Sequence, residues 1–496
     1  MKAINHMIRK TALAASIGSM LLAGCAVGPN YKQPAPPQAK GYTPEMPAAT
    51  SSTTNVPGGE PQRFVEGMDI SGEWWQLFHS KPLNDLIERS LTNSPGIKSA
   101  QAALTAARES MVAQRGAYYP SASAGFAASR NKTSAQVSPN TASGDLTYNL
   151  FTPDLTVSYS PDVFGLNRRT VESAKAQEQQ ARFQLIATHI TLSANIAVAA
   201  IQEASLRAQV EATRELVASS SNMVDILHRQ FDKGYASRLD LATQEAQLAQ
   251  LAATLPPLVK QLAVQHDLLA ALAGDFPDKA TPTFELSSLK LPEELPLTLP
   301  SRLVEQRPDV RQAAENLHFA SAQVGIAVAN RLPNFMLTAD VGTMATEARD
   351  MFTSGAGFWA LGASVTQPIF AGGTLLHKER AQRALLVEAA EQYRGAVLTA
   401  CQNVADTLNA LEQDANALKA AAAAGDAAKV SLDVSRQQWK AGYANYLSLL
   451  TAEQAYQQAV VNLVQAQANR YSDTAALFQA LGGGWWNRTD LASTKK

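Results

Sequence analysis

Hydrophobic and polar positions along this chain change period several times, and each change predicts an element. Apolar residues alternate with small or polar ones in four short rows. Ala122, Ala124, Phe126 and Ala128 form the weakest row. Leu155, Val157, Tyr159, Pro161 and Val163 alternate with Thr156, Ser158, Ser160 and Asp162. Phe335, Leu337, Ala339 and Val341 form a third row, and Trp359, Leu361, Ala363 and Val365 a fourth. Strict alternation predicts strands with one apolar face. A transmembrane β-barrel and a half-buried soluble sheet share that pattern.

Elsewhere the period is helical. The proline-free stretches 166–232 and 374–440 are 67 residues each. At 1.5 Å per residue such a helix is about 100 Å long. Leu449, Tyr456 and Leu463 recur every seven residues, as do Leu450, Gln457, Val464, Tyr471 and Phe478. Two adjacent seven-residue seams predict a helix packed against a neighbour on each side. Phe183 to Gln202 carries no formal charge. Gln184, Thr188, His189, Thr191, Ser193 and Asn195 interrupt it, so a buried seam is preferred over a membrane helix.

The chain also repeats itself. Gln230-Phe231-Asp232-Lys233-Gly234-Tyr235-Ala236-Ser237-Arg238-Leu239-Asp240-Leu241 returns 208 positions later as Gln438-Trp439-Lys440-Ala441-Gly442-Tyr443-Ala444-Asn445-Tyr446-Leu447-Ser448-Leu449. Pro95, Leu104, Ala107 and Pro120 match Pro308, Leu317, Ala320 and Pro333, and Val163-Phe164 matches Ile369-Phe370. Three matches in one order indicate duplication. The halves are 71–274 and 301–484, joined by a linker at 275–300 and followed by a tail at 485–496. In the first half, strands are expected at about 121–131 and 154–164. The long helix 166–232, a turn at 233–237 and a return helix at about 238–273 follow. The second half gives a helix at about 308–332 and strands at about 334–346 and 357–370. Its long helix is 374–440, its turn 441–445 and its return helix about 446–481.

Composition narrows the picture. With 42 Lys plus Arg against 43 Asp plus Glu, the net charge of −1 offers no field for nucleic acid. Only Cys25 and Cys401 are present, so a disulfide scaffold is excluded, and Cys401 is expected as a small buried residue. Lys2, Arg9 and Lys10 precede an apolar run from Thr11 to Leu22 that is too short to span a bilayer. It ends in Leu22-Ala23-Gly24-Cys25, which resembles a bacterial lipobox. Residues 1–24 are then a signal peptide, and Cys25 is the lipidation site. Eight prolines between 26 and 63 predict an extended lipidated tether over 25–70, with ordered structure beginning near Trp74-Trp75. No His-Glu-x-x-His, Gly-x-Ser-x-Gly or Walker A pattern occurs, and the seven histidines lack metal-ligand spacing. No enzyme site, metal or cofactor is expected.

Several features together carry a family resemblance. They are the lipobox with Gly28-Pro29-Asn30-Tyr31, Trp74-Trp75…Phe78…Pro82-Leu83, and Arg307-Pro308-Asp309-Val310. To these are added Gln367-Pro368-Ile369-Phe370-Ala371-Gly372-Gly373, Gly442…Asn445-Tyr446-Leu447…Leu449-Leu450, and Ala480-Leu481-Gly482-Gly483-Gly484-Trp485. The chain resembles the TolC-like outer membrane factors, in the lipoprotein OprM/NodT-type branch. The resemblance implies a mainly α fold with a small β part: an α-helical barrel plus a transmembrane β-barrel built jointly by a homotrimer, four strands per chain. It implies the outer membrane exit duct of a tripartite efflux pump, anchored in outer membrane lipid. Its partners would be a periplasmic adaptor and an inner-membrane RND-type pump, with no nucleic acid.

It further implies a periplasmic gate at Tyr443, Asn445, Tyr446, Leu447 and Thr451, with Asp240 bonding across to a neighbouring helix and Arg238 beside it. Lys233, Gly234, Tyr235, Ala236, Ser237, Lys440 and Gly442 would face the adaptor. Gly234 and Gly442 would resist β-branched replacement if their turns need positive φ. Thr451 departs from the family, which often places an aspartate there, so a mainly apolar constriction with weak cation block is expected. Glu453 lies two positions on, which turns it to another face. The exit duct of a type I secretion system and a periplasmic coiled-coil scaffold remain alternatives.

Overall fold

The computed structural model describes residues 26–39, 41–44, 48–134 and 147–492. Cys25 lies outside the described residues, as does the signal segment. The elements run β1 (Arg63–Glu66), α1 (Lys81–Asn93), α2 (Pro95–Arg115), β2 (Ser121–Lys132), β3 (Thr147–Tyr159), α3 (Leu166–Asp232) and α4 (Arg238–Leu272). Then come β4 (Glu294–Leu297), α5 (Pro300–Gln306), α6 (Pro308–Ala329), β5 (Asn334–Thr343), β6 (Gly357–Thr366), α7 (Thr374–Lys440), α8 (Tyr446–Ala480) and α9 (Thr489–Ala492). The described residues form two compact units, one drawn from within 26–33, 104–180 and 313–393, the other from within 34–103, 181–312 and 394–492.

The first unit holds an antiparallel sheet in the order β2-β3-β5-β6. β3 ends at Tyr159, short of the expected 164, and begins seven residues before the expected 154. The reason is the start of α3. The Asp162 carboxylate accepts from the Asn167 and Arg168 amides at 2.9 and 3.0 Å, so this residue caps a helix and does not extend a strand. Pro161 and Val163 therefore leave the alternating row. β6 ends at Thr366, before Pro368, which has no N–H for a ladder.

The segment after Cys25 is seated on this unit and is not a free tether. Val27 donates its amide to Phe164 O, and Arg169 donates to Val27 O at 3.1 Å and to Asn30 Oδ1 at 2.6 Å. Gly28 has φ +90°, and a Cβ there would come within 2.5 Å of Gly325 Cα. Tyr31 stacks on His318 with ring centroids 4.3 Å apart. His318 faces Glu172 through Nε2 at 3.0 Å and Glu315 through Nδ1 at 3.2 Å. Hydrogen bonding to Glu172 and then Glu315 pushes the imidazole up to about 9. A group raised in the folded state stabilises fully below its unfolded value of about 6.5. Thermal stability should therefore fall as pH rises from about 6.5 towards 9. The variant His318→Gln should lose that slope, read by melting temperature against pH.

The second unit pairs β1 with β4 in parallel, Arg63 opposite Glu294, so the expected linker contributes a strand. Its core gathers Trp74, Phe78, Tyr471 and Phe478, with Trp74 stacked on Phe478 at 5.2 Å. Here too the proline-rich segment is held. Arg470 is fully buried and donates to Gly58 O, Glu60 O and Thr50 Oγ1 at 2.7, 2.7 and 2.9 Å. Gln62, also fully buried, donates to Pro292 O and Thr474 Oγ1. One stretch of α3 is long and apolar enough to cross a membrane, but most of it is buried inside the protein. Phe183, Ile186, Ile190, Ile196 and Ile201 point into this unit's interior. Cys401 is half-buried, not fully buried as expected, and burial pushes its thiol up.

Candidate functional site

Sheet register decides what the four strands present. Leu155 pairs with Ala124 and with Val341, and Val341 pairs with Trp359. Val157, Ala339 and Leu361 line up in the same way, as do Tyr159, Leu337 and Ala363. One face is therefore apolar across all four strands. The opposite face carries Ser123, Asp154, Thr156, Thr338, Asp340, Gly362 and Ser364. On it Thr156 donates to Asp340 at 2.6 Å. The apolar face is bare: Trp359, Leu361, Phe126 and Val341 are all exposed. Apolar surface of this extent and regularity does not face water in a stable sheet. Strands β2 and β6 each pair on one side only among the described residues. An open edge is not tolerated in hydrocarbon.

The two repeat turns have nearly the same geometry. After α3, Gly234 adopts φ +76° and Tyr235 donates its amide to Gln230 O at 2.8 Å. After α7, Gly442 adopts φ +78° and Tyr443 donates to Gln438 O at 2.8 Å. Both glycines occupy the left-handed region. A Cβ at either would meet nothing within 4 Å, so resistance to substitution there is purely conformational. Ser237 caps α4 in a capping box: its Oγ accepts from the Asp240 amide, and the Asp240 carboxylate accepts from the Ser237 amide and hydroxyl. Asn445 caps α8, accepting from the Ser448 amide at 2.9 Å.

The hydrogen bonds of Asp240 close the cap of its own helix; none among the described residues crosses to a neighbouring helix. Tyr446 does not point out of the turn. It is 8 % exposed and packs with Met223, Leu227, Leu241, Leu432, Leu449 and Leu450. Its neighbours behave differently. Leu447 is 64 % exposed and Tyr443 88 %. Lys233, Arg238 and Lys440 are also exposed, and Ala236 packs on the junction core. Thr451 is exposed and returns its hydroxyl to Leu447 O at 2.9 Å.

One residue of this surface escaped the sequence reading. Leu239 is 75 % exposed and occupies the position of Leu447 in the first repeat. The 208-residue offset was the signal for it. Tyr235 and Tyr443 are equivalent in the same way, so each turn shows one tyrosine and one leucine.

Behind the turns lies a polar layer in which α3, α4, α7 and α8 meet. Arg436 donates to Ser219 Oγ at 3.2 Å, and Gln244 donates to Ser220 Oγ at 2.9 Å. Glu453 is 7 % exposed and lies 3.7 Å from Arg436. It is turned away from Thr451, so no carboxylate stands at the exposed end of α8. The repeat equivalents of Arg436 and Glu453 are His228 and Glu245, which approach to 3.5 Å on the surface.

Known proteins place these features together. Residues 86–275 and 299–483 match the outer membrane efflux protein family. The toluene efflux pump outer membrane protein TtgF of Pseudomonas putida is 29 % identical over 486 residues, covering 95 % of this chain and 96 % of that protein. The crystal structure of the outer membrane protein VceC from Vibrio cholerae is similar with a TM-score of 0.78 and 27 % identity, over 83 % of this chain and 99 % of that one. The open-state structure of the MtrE outer membrane channel of Neisseria gonorrhoeae is similar with a TM-score of 0.79 and 26 % identity, over 94 % and 100 %. A sheet with one bare apolar face, two long helices ending in matched turns, and a family match over both repeats agree. The chain belongs to the outer membrane efflux protein family, and it is an outer membrane efflux channel of TolC-like fold.

Proposed function

We propose that three copies of this chain join their sheet edges into one twelve-strand barrel and form the exit duct of a tripartite efflux pump. The observation that carries the reading is the continuous apolar face with an unpaired edge at β2 and at β6. Four strands cannot close alone, since the smallest bacterial barrels have about eight. Three chains supply twelve strands, with the apolar faces on lipid and the Asp154, Thr156 and Asp340 face on a polar lumen. Acylated Cys25 anchors each chain. Its neighbour Ala26 lies against Gly165, directly before α3.

The duct performs no bond-making chemistry. It lets small molecules delivered by an inner-membrane RND-type pump follow one polar path; toluene, named for the Pseudomonas relative, is one such cargo class. The periplasmic adaptor docks on the turns, at Lys233, Gly234, Tyr235, Ala236, Ser237, Lys440 and Gly442. Leu447, with Tyr443 beside it, forms the apolar constriction, and the Asn445 cap fixes where that helix starts. Thr451 offers no carboxylate and Glu453 faces inward, so block by divalent cations is weak. Arg238 and Asp240 shape the rim of the first turn. Light scattering of the detergent-purified protein tests the assembly. Three protomer masses are expected, and a stable monomer inserted in membranes contradicts it.

A further inference from the structure

The apolar row of β2 does not stay apolar to its end. Ala122, Ala124, Phe126 and Ala128 share one face with Arg130 and Lys132, because side chains two residues apart point the same way. The register carries the change across the hairpin. Ala128 stands opposite Phe151, then Arg130 opposite Asn149 and Lys132 opposite Thr147. Ala128 and Phe151 are thus the last apolar pair. The one carboxylate of β3, Asp154, is paired with Gly125 on the other face. Both cations are exposed, and neither forms an ion pair with another described residue.

Their level in the membrane follows from the strand. Helices α2, α3, α6 and α7 all join the sheet at one end, so the β2–β3 hairpin lies at the other, towards the outer leaflet. Ser121 to Arg130 spans nine residue steps, about 31 Å at ~3.4 Å each. At a strand tilt of about 40° this is a rise of roughly 23 Å, close to the ~25 Å apolar band of such barrels. Arg130 therefore stands where hydrocarbon gives way to headgroups, with Lys132 one pair beyond. At the opposite end Tyr119 and Phe370 are exposed, as an interfacial aromatic girdle is.

We propose that Arg130 and Lys132 form a binding site for the phosphate of an outer-leaflet lipid headgroup. The proposal rests on the barrel reading above, which places this row against lipid. A guanidinium meets phosphate through two parallel N–H donors, and an ammonium adds a point charge. Alternate residues of a strand are about 7 Å apart, so two long side chains can close on one phosphate while their stems stay on the apolar face. The site lies on an edge strand, beside the seam at which chains join. A nearby cation, Arg349 in the β5–β6 loop, is different. Glu347 and Asp350 approach it to 2.7 and 3.9 Å, so its charge is already answered.

The test uses the full lipidated protein in a neutral detergent with diphosphoryl lipid A, against the same lipid with its phosphates removed. Native mass spectrometry counts the lipid retained. The wild type is expected to keep several-fold more of the phosphorylated lipid. Arg130→Gln with Lys132→Gln removes that preference, Arg130→Lys keeps part of it, and Arg349→Gln leaves it unchanged. No preference in the wild type overturns the proposal, as does a preference that survives the double variant. Equal loss in Arg349→Gln overturns it too, since any surface cation would then serve. The same spectra give the oligomer. Monomers that still prefer the phosphorylated lipid through Arg130 and Lys132 overturn the twelve-strand reading and support the site. Trimers without the preference do the reverse.

Discussion

Leu361→Arg in β6 is expected to deplete the protein from the outer membrane, whereas Ser364→Arg three residues on is expected to be tolerated. The two positions lie on opposite faces of one strand. Leu361 lies in the row with Ala339 and Val157, on the bare apolar face. Ser364 pairs with Met336 on the face that carries Asp340 and Thr338. An arginine on the lipid face of a barrel costs roughly 2–4 kcal/mol at mid-membrane and far less near the interfaces. On the lumen side it remains in water. Flotation of membranes, with the trimer fraction measured for each variant, reads the difference. A soluble sheet whose apolar face met another part of the protein would be damaged by Leu361→Arg without losing its membrane association. Equal tolerance of the two arginines would remove the assignment of faces.

The second large effect belongs to Arg470. Its guanidinium is fully buried and closes the segment 50–60 against α8 through two carbonyls and a hydroxyl, with Leu411 O at 3.5 Å. Arg470→Met keeps most of the side-chain volume but strands those acceptors. At about 1–3 kcal/mol for each buried group left unpaired, a loss of roughly 4 kcal/mol or more is expected. Arg470→Lys should recover little of it, because a point charge on a flexible stem cannot span acceptors that a planar fork reaches together. The midpoint of denaturant unfolding measures the loss, and new protease cuts between residues 50 and 62 localise it. A destabilisation below about 1 kcal/mol, the size of an ordinary surface change, would show that the segment is held by its other contacts.

These two cases mark where the sequence was legible and where it was not. The long helices were legible at both ends. Each runs 67 residues without proline, and each stops at a glycine whose positive φ only glycine adopts cheaply. The strand faces were legible because alternation has period two and the register did not slip. Arg470 was not legible. Its partners are about 410 residues away in sequence, and a charge in an amphipathic helix otherwise reads as solvated. The proline-rich segment read as a free tether for the same reason. It has no core of its own, but Arg470, Gln62 and Arg169 supply one from elsewhere. Tyr446 was named with the gate through the family resemblance of its segment, which does not resolve which side each residue faces. One residue is about 100° of helix rotation, enough to separate an exposed leucine from a buried tyrosine.

Among the candidate gate residues, Leu447 and Tyr443 stand exposed at the turn. Asp240 and Asn445 are engaged in caps, roles set by hydrogen bonds three residues apart that a helix start always needs. Glu453 could be separated from Thr451 by helical angle alone, but its burial against Gln244 and Arg436 depends on how four helices meet.

The central claim, a gated pore shared between chains, is tested most directly by planar-bilayer conductance of the purified lipidated protein, wild type against Leu447→Ala. A small wild-type conductance and a markedly larger one in Leu447→Ala are predicted. No current from either protein, or identical currents from both, would contradict the account.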